Sequence, residues 1–246
     1  MKHRWWLVVV LGWAVATSGA NPDGDAILAA VDENIGSDTK VSTARMVIEG
    51  RRGSRTVVFK SWIRGMDESS TEYLDPPRAR GVKMLKLGEQ LWAYYPSTDR
   101  TIKSSGHTLR QSVMGSDLSY EDLMEDPLLS GLYDPVIEGD EVVLERPCWM
   151  LRLTAKQDDL AYDSRTMWVD KERFVILREH RFAKSGKLLK TTDVVEVAEI
   201  DGRWLGNKIE FRYDLKSGGG TTFVIDTIEF DEEIPEYVFT KAILRK

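Results

Sequence analysis

The stretch Thr56-Val57-Val58-Phe59-Lys60-Ser61-Trp62-Ile63-Arg64 indicates the fold class of this chain. Its large apolar side chains alternate with a period of two, so that Val57 and Phe59 would lie on one face of a strand and Trp62 on the other. Apolar residues therefore occur on both faces, as in a sheet that is covered on both sides. The stretch predicts a β-strand inside a larger sheet.

Strand-like segments continue on both sides of this stretch. They are residues 40–50, 55–65, 69–75, 81–87, 90–95, 99–103, 141–145, 148–155, 163–169, 173–183, 187–199, 203–214 and 221–230. Turn signals such as Arg52-Gly53-Ser54 and Asp201-Gly202 separate many of them, with no helical stretch between neighbours. This pattern favours antiparallel hairpins over βαβ units. We expect a mainly β protein with one strongly curved antiparallel sheet, shaped as a half-open β-barrel.

An amphipathic helix is predicted ahead of the first strand. Ile27, Leu28 and Val31 recur at helical spacing, and Asn21 or Asp23 could cap the helix. No linker or charge block interrupts the segments that follow, so residues 21–246 are expected to form a single domain.

Residues 111–132 interrupt the run of strands. This segment is predicted to be helical or irregular, with Ser119 as a cap three residues before Asp122. Its apolar side chains would fall close to one face, and the concave face of the sheet is the surface available to them. We therefore expect residues 111–132 to act as a central lid or plug on the sheet.

The composition excludes several classes of protein. The chain has 246 residues, of which 42% are hydrophobic and 9% aromatic, and its formal net charge is −6. A pI near 5.3 argues against a general nucleic-acid-binding protein, which would carry a basic surface. The same composition is unlike that of collagenous, disordered or disulfide-rich proteins.

The first twenty residues have the features of a cleavable signal peptide. Lys2-His3-Arg4 precedes an apolar run over residues 5–16, and Ser18-Gly19-Ala20 offers small residues for cleavage. The only cysteine, Cys148, is far from the cleavage site that a lipid anchor would need. We expect export to the periplasm without a lipid anchor, and a buried, unreactive Cys148.

The residues available for catalysis predict that the protein is not an enzyme. His107 and His180 are the only histidines after the signal peptide, and no nucleophile elbow, phosphate loop or paired-cysteine motif is present. Asp117, Glu121 and Glu125 would align on a helix, but their spacing is not that of a calcium loop. Helix capping and solvation are the favoured interpretation of these acids, and no metal or cofactor is expected.

The excess of aromatic residues in strands points to a cavity. The aromatic residues in strand-like segments are Trp62, Trp92, Tyr94, Trp149, Trp168 and Phe223. Such side chains most often fill a core, but a strongly curved sheet encloses more volume than its own side chains readily fill. Except for Trp149, these residues are candidates for lining an apolar ligand cavity.

Two motifs of the chain are especially specific, Leu91-Trp92-Ala93-Tyr94-Tyr95-Pro96 and Val113-Met114-Gly115-Ser116-Asp117-Leu118-Ser119-Tyr120-Glu121-Asp122-Leu123. Further motifs occur at Pro77-Arg78-Ala79-Arg80-Gly81, Met167-Trp168-Val169-Asp170, Gly186-Lys187-Leu188-Leu189-Lys190 and Ile234-Pro235-Glu236-Tyr237-Val238-Phe239-Thr240. In sequence and in order, these motifs resemble the outer-membrane lipoprotein-sorting family of LolA-like periplasmic proteins. The resemblance implies a half-open barrel whose mouth is covered by helices.

The resemblance also implies an apolar cavity for acyl chains and a lid with named candidate residues. The lid candidates are Met114, Gly115 as a hinge, Leu118, Tyr120, Leu123 and Met124. Members of the family carry a basic residue at the mouth of the cavity, and Arg78 or Arg80 are the candidates here.

Three functions follow from this reading, in order of preference. The first is a soluble, monomeric periplasmic carrier that takes a lipid or lipoprotein acyl chains from an inner-membrane exporter to an outer-membrane acceptor. The second is a sensor or accessory module of an RND-type exporter or a sigma-factor pathway, which would bind a partner protein or lipid without transport. A hydrolase of envelope lipids ranks last because no catalytic set was found.

Overall fold

The structure, a computed structural model, describes residues 22–51, 53–125, 128–216 and 218–245. The predicted signal peptide lies outside these residues. Within them, no helix is both long and apolar enough to cross a membrane.

The described residues form thirteen strands and two α-helices. Helix α1 spans Gly24–Ile35 and α2 spans Tyr120–Met124. The strands are β1 (Thr39–Gly50), β2 (Gly53–Arg64), β3 (Glu68–Asp75), β4 (Lys83–Leu87), β5 (Gln90–Tyr95), β6 (Arg100–Ser104), β7 (Tyr133–Val143), β8 (Arg146–Ala155), β9 (Ser164–Asp170), β10 (Ile176–Phe182), β11 (Leu188–Ile200), β12 (Arg203–Tyr213) and β13 (Thr221–Phe230). Short 3₁₀ turns occur at Gly106–Arg110, Val113–Gly115, Leu129–Gly131, Glu236–Phe239 and Lys241–Arg245.

All thirteen strands belong to one antiparallel sheet, in the order β6-β5-β4-β3-β2-β1-β13-β12-β11-β10-β9-β8-β7. The sheet consists of two meanders, β1–β6 and β7–β13, which are joined where β1 pairs with β13. It is open, because β6 and β7 form its two edges and do not pair with each other. The prediction of a mainly β, antiparallel fold that is not closed into a barrel is confirmed.

The connection between the meanders explains why residues 111–132 cover the sheet. Strand β6 ends at Ser104 on one edge, and β7 begins at Tyr133 on the opposite edge. The intervening segment must therefore pass from edge to edge, and it does so over the face that we call the inner face. Val113 and Leu118 of this segment are buried against β1–β5.

Helix α1 covers the other half of the inner face. Asp23 caps it by accepting a hydrogen bond from Ala26 N at 2.8 Å, as one of the two predicted caps. Its apolar stripe, Ile27, Leu28 and Val31, is 0–1% exposed and packs against strands β7–β9. The predicted helix is confirmed, and it begins at Gly24.

Strand β7 differs from its prediction. The sequence predicted a strand at 141–145, whereas β7 runs from Tyr133 to Val143 and the turn follows at Leu144 and Glu145. Its first half contains Pro135 and a bulge between Ile137 and Gly139. Both features are tolerated at a sheet edge, but they remove the regular alternation that marks a strand in sequence.

Candidate functional site

A cavity of about 340 Å³ lies between the inner face of β1–β5 and the segment that contains α2. Its size is within the range of small-molecule binding pockets. The larger apolar side chains that line it are Met46, Phe59, Ile63, Tyr73, Met84, Leu91, Val113, Leu118, Leu123 and Phe223. The cavity is therefore predominantly apolar.

The polarity of the cavity wall changes along the strands. The antiparallel register places the inner-face residues in rows that cross β1, β2, β3 and β4. The row at one end consists of Lys40, Ile63, Ser69 and Lys86. The next row has three hydroxyls and one methionine, and the rows beyond are apolar apart from the Tyr73 hydroxyl. In order, these rows are Ser42, Ser61, Thr71 and Met84, then Ala44, Phe59 and Tyr73, and then Met46 and Val57.

Both lysines of the first row stand where the cavity meets surface pockets. Lys40 also lines a pocket of about 620 Å³ beside the end of α1, and Lys86 lines one of about 370 Å³ beside Met124. Gly65 and Met66, in the turn between β2 and β3, are shared with the first of these pockets. We call this row, Lys40, Ile63, Ser69 and Lys86, the lip of the cavity.

The segment before α2 is fixed by hydrogen bonds to β12 and β13. The carboxylate of Asp117 accepts from the Thr221 hydroxyl at 2.7 Å and from the Tyr213 amide at 3.3 Å. Arg55 donates to the carbonyl of Met114. Met114 and Gly115 have positive φ angles of 50° and 72°, so the chain turns sharply here and glycine suits the second position.

Helix α2 begins with a capping box. The Ser119 hydroxyl accepts from the Asp122 amide at 3.3 Å, and the Asp122 carboxylate accepts from the Ser119 amide at 2.6 Å. The predicted cap at Ser119 is thus confirmed. None of the five residues of this helix is fully buried. Apolar packing alone therefore holds α2 weakly.

Buried charges attach α2 to the floor of the sheet. The side chain of Asp122, 3% exposed, pairs with Lys190 of β11 and with Arg181 of β10, and it accepts from the Tyr162 hydroxyl at 2.5 Å. One turn later, Glu125 pairs with Arg165 of β9. Asp122 in α2 and Glu125 just after it thus each contact basic residues of the sheet.

Arg165 lies at the centre of this ion-pair network. It is 1% exposed, pairs with Glu179 at 2.6 Å as well as with Glu125, and lies over the rings of Tyr133 and Tyr162. Arg181 also pairs with Glu179, at 2.8 Å. The network, defined as Asp122, Glu125, Arg165, Glu179, Arg181 and Lys190, contains three cations and three anions, and its charges balance.

The network keeps Asp122 and Glu179 ionised. Burial alone would raise the pKa of Asp122, but the charges of Lys190 and Arg181, with hydrogen bonds from Lys190 and Tyr162, lower it to about 2. Burial would likewise raise the pKa of Glu179, and the charges of Arg181 and Arg165 lower it to about 2. Burial and the nearby Asp122 raise the pKa of Tyr162, so its hydroxyl remains a donor.

Several of the residues predicted for the site come together at this cavity. Leu118, Leu123 and Phe223 line it, and Leu123 remains 41% exposed. Met114, Tyr120 and Met124 pack against the same apolar cluster. Gly115 lies at the sharp turn before α2.

Four predicted cavity residues lie on the opposite, outer face of the sheet. Trp62 packs against Ile234, Val238 and Phe239 of the C-terminal segment. Trp92 and Tyr94 pack with Leu244, and Trp168 packs in a separate cluster with Leu177. The period of two places Trp62, Trp92 and Tyr94 opposite the cavity-lining residues of their strands, and it places Trp168 opposite Met167 and Val169, which pack with α1. An alternation that is apolar on both faces does not indicate which face is inner.

The basic residues near the cavity also differ from those proposed from the sequence. Arg78 and Arg80 are exposed, and Arg80 pairs with Asp75 at 3.6 Å, away from the cavity wall. The lysines at the lip are Lys40 and Lys86. A signal for Lys40 was present in the sequence, because Lys40, Ser42, Ala44 and Met46 alternate along β1 and share one face.

The other polar residues considered in the sequence have structural contacts. Asp117 binds Thr221 and Glu125 binds Arg165, while His180 packs edge-on against Trp168 with ring centroids 4.8 Å apart. In the described part of the chain, no three His, Cys, Asp or Glu side chains are placed to hold a metal ion.

A model of a protein family, described as "Uncharacterized protein", matches residues 65–246. The chain belongs to this family. No protein with a curated description matches the sequence. The family match covers α2, the ion-pair network and strands β3–β13, whereas Lys40 and strands β1 and β2 precede it.

Three solved structures have the same fold as this family member. A DUF1329 family protein from Desulfovibrio piger is similar with a TM-score of 0.83 and 24% identity, over 90% of this chain and 97% of that one. An outer membrane lipoprotein-sorting protein domain from Vibrio parahaemolyticus has a TM-score of 0.80 and 20% identity, over 91% and 98%. A LolA superfamily protein from Nitrosomonas europaea has 0.75 and 22%, over 90% and 99%. The LolA-like fold implied by the sequence motifs is confirmed.

Proposed function

We propose that this protein is a carrier that binds a lipid, or the acyl chains of a lipoprotein, in the cavity beneath α2. The observation that carries the proposal is an apolar cavity of about 340 Å³ whose cover is a five-residue helix held by polar contacts. The LolA-like fold, found in a structure described as a lipoprotein-sorting domain, supports the same function.

The physical requirement on such a carrier is to bury hydrocarbon and still release it. Each CH₂ group transferred from water into an apolar site contributes about 0.8 kcal/mol, so the apolar rows from Ala44 to Met46 favour an acyl chain. Release requires a cover that can separate without unfolding the core. Helix α2 meets this requirement because none of its apolar side chains is fully buried.

The proposed setting is the bacterial periplasm. The predicted signal peptide over residues 1–20 would export the chain, and the absence of a cysteine after the cleavage site argues against a lipid anchor. In this setting the single domain, residues 21–246, would act as a monomer between an inner-membrane exporter and an outer-membrane acceptor. Transfer of a bound chain needs no covalent chemistry, so the proposal does not include an enzymatic step.

Ser42→Trp tests the cavity directly. Ser42 lies on the inner face of β1, is half-buried and lines the cavity, so an indole at this position would occupy the space of the ligand. Thr43→Trp is the matched control, because Thr43 is the next residue of the same strand and faces the outer side. The measurement is native mass spectrometry of protein purified from its own envelope without detergent.

We expect wild type and Thr43→Trp to retain a bound lipid mass and Ser42→Trp to lose it. The displacement of a neutral fluorescent probe, N-phenyl-1-naphthylamine, should separate the two variants in the same way. Wild-type protein that is reproducibly empty and binds no probe would overturn the carrier function. Equal loss in both variants would show that the ligand does not occupy this cavity.

A further inference from the structure

The lip of the cavity carries two lysines at its two sides. Lys40 pairs across the sheet with Ile63, Ile63 with Ser69, and Ser69 with Lys86. The lysines are therefore three strand spacings apart, about 14 Å along the sheet. The side chains of Ile63 and Ser69 lie between them.

Lys40 is half-buried and has no negatively charged partner in the described part of the chain. Its ammonium donates to the carbonyl of Ile35, the last residue of α1. The charge that acts on its pKa is that of Arg203, which has the same sign, although Glu33, Asp38 and Asp231 line the same surface pocket. Burial, and then the charge of Arg203, lower the pKa of Lys40.

The acidic side chains of the cavity wall, in contrast, are already paired. Glu68 binds Arg64 at 2.5 Å, Glu125 binds Arg165, and Asp122 binds Lys190. These carboxylates are therefore not free to neutralise Lys40. A positive charge without a counter-ion remains at the lip.

Capping of α1 accounts for only part of this arrangement. A lysine ammonium has three donors, and a cation near a helix C-terminus is ordinarily stabilising. The Ile35 carbonyl uses one donor of Lys40, and a partly desolvated cation without an anion is unfavourable. An anionic group that arrived at the lip would gain a charge-assisted hydrogen bond.

The order of the rows along β1 defines the orientation of a ligand that carries such an anion. Beyond Lys40, the inner face of β1 carries Ser42, then Ala44, then Met46, so that polarity falls from charge to hydroxyl to hydrocarbon. The distance along the strand from Lys40 to Met46, which are six positions apart, is about 20 Å. A molecule with a charged head and an apolar tail matches this gradient in one orientation only.

We propose that the cavity takes an amphiphile with a negatively charged headgroup, which Lys40 binds at the lip while the chain extends along β1 toward Met46. This inference rests on the proposed function, and it adds the chemical class of the ligand. Carboxylate and phosphate headgroups share the required charge. Lys86, at the other side of the lip, donates to the carbonyls of Met66 and Met124 and so holds the end of α2 next to the headgroup.

The test compares ligands that have the same chain and different headgroups. Hexadecanoic acid, hexadecyl phosphate and hexadecanol compete with N-phenyl-1-naphthylamine for the full-length exported protein. We expect the acid, the phosphate or both to displace the probe at about tenfold lower concentration than the alcohol, as a hydrogen bond to a charged group predicts. Comparing the two anions distinguishes a carboxylate from a phosphate ligand.

Lys40→Met tests the residue itself. This variant keeps the length of the side chain without its charge, and it should lose the preference for anions while binding hexadecanol as wild type does. Lys40→Arg should restore the preference. Lys60→Met is the matched control, because Lys60 lies on β2 over the ring of Trp62, on the outer face.

The outcomes separate this inference from the proposed function. Equal displacement by all three ligands, or an anion preference that survives in Lys40→Met, would overturn the anionic headgroup and leave the carrier function intact. Failure of every ligand to displace the probe, with no lipid mass in the purified protein, would overturn both. If Lys40→Met no longer binds hexadecanol, an unchanged anion preference in Lys40→Arg still supports the proposal, and its loss there overturns it.

Discussion

The two halves of the inner face are covered in different ways. Over β7–β9, the twelve-residue helix α1 buries Ile27, Leu28 and Val31 to 1% exposure or less. Over β1–β5, the five-residue helix α2 buries none of its residues completely, and a cavity of about 340 Å³ remains beneath it. The half under α1 is a packed core, and the half under α2 contains a cavity.

The difference shows which interactions suit a permanent cover and which suit a removable one. Apolar packing over α1 is cooperative, because each buried side chain contacts several others and none separates alone. Helix α2 is only partly packed, through Tyr120 and Met124, and its other contacts include ion pairs and hydrogen bonds from Asp122 and from Glu125 just after it. Water or a ligand can replace such contacts one at a time, so α2 can open while α1 stays in place.

Removing the central cation of the network should have the largest effect. Arg165→Met leaves Glu125 without its partner and deprives Glu179 of one of two. Breaking a buried ion pair in this way costs about 3–5 kcal/mol. Urea unfolding should show a loss of that size, and hydrogen exchange should show that the amides of α2 are exposed before those of α1.

Arg178→Met is the control for this loss. Arg178 lies over Trp168 on the outer face and pairs with Asp193. The two side chains of this ion pair are 37% and 41% exposed. We expect its removal to cost about 1 kcal/mol or less. A similar cost for both variants would show that the network does not hold α2 more firmly than a surface ion pair would.

Acid should weaken the cover of the cavity before it affects α1. The pKa of Asp122 falls from 3.8 when unfolded to about 2 in the native protein, and that of Glu179 from 4.5 to about 2. Each carboxylate therefore contributes stability that is complete above about pH 5 and is lost as the pH falls through about 2. The contribution is about 2 kcal/mol for Asp122 and about 3 kcal/mol for Glu179. Urea unfolding between these two pH values measures the loss.

Two variants identify the source of this pH dependence. Asp122→Asn and Glu179→Gln should each flatten the stability profile in the acid range. Asp140→Asn is the control, because the Asp140 side chain is 63% exposed in its ion pair with Lys171 and its removal should change the profile little. An unaltered acid slope in the first two variants would assign the pH dependence to other groups.

The sequence predicted helix α1 and the segment that covers the cavity better than it predicted the residues of the cavity wall. The stripe of Ile27, Leu28 and Val31 and the Ser119–Asp122 cap depend on local spacing, which the sequence displays directly. The placement of residues 111–132 follows from the connection between the two edge strands. That connection depends on the pairing of β1 with β13, which is not a local property.

The residues of the wall could not be predicted for a different reason. A strand with apolar residues on both faces has two equivalent orientations in sequence, so Trp62 and Phe59 were equally plausible cavity residues. The C-terminal segment decides between them, because it covers Trp62 from the outer side. Arg165 was missed as well, since it lies in a strand of seven buried residues and is neutralised by Glu125 and Glu179, which are distant in sequence.

The smallest expected effect, and the sharpest comparison of the two covers, comes from the helix caps. Ser119→Ala at α2 and Asp23→Ala at α1 each remove a side chain that accepts from a helix amide, at a cost of about 1 kcal/mol. The local consequences should differ. In Ser119→Ala the amides of α2 should exchange faster throughout, because no fully buried apolar side chain holds that helix.

In Asp23→Ala, the exchange of the later amides of α1 should remain slow, because Leu28 and Val31 keep the helix on the sheet after its first turn frays. Bound N-phenyl-1-naphthylamine should also transfer to phospholipid vesicles faster from Ser119→Ala than from Asp23→Ala, when the two variants have equal global stability. Equal exchange and equal transfer in the two variants would show that α2 is fastened as firmly as α1. Release would then require a motion of the sheet itself, because neither helix would be the easier one to open.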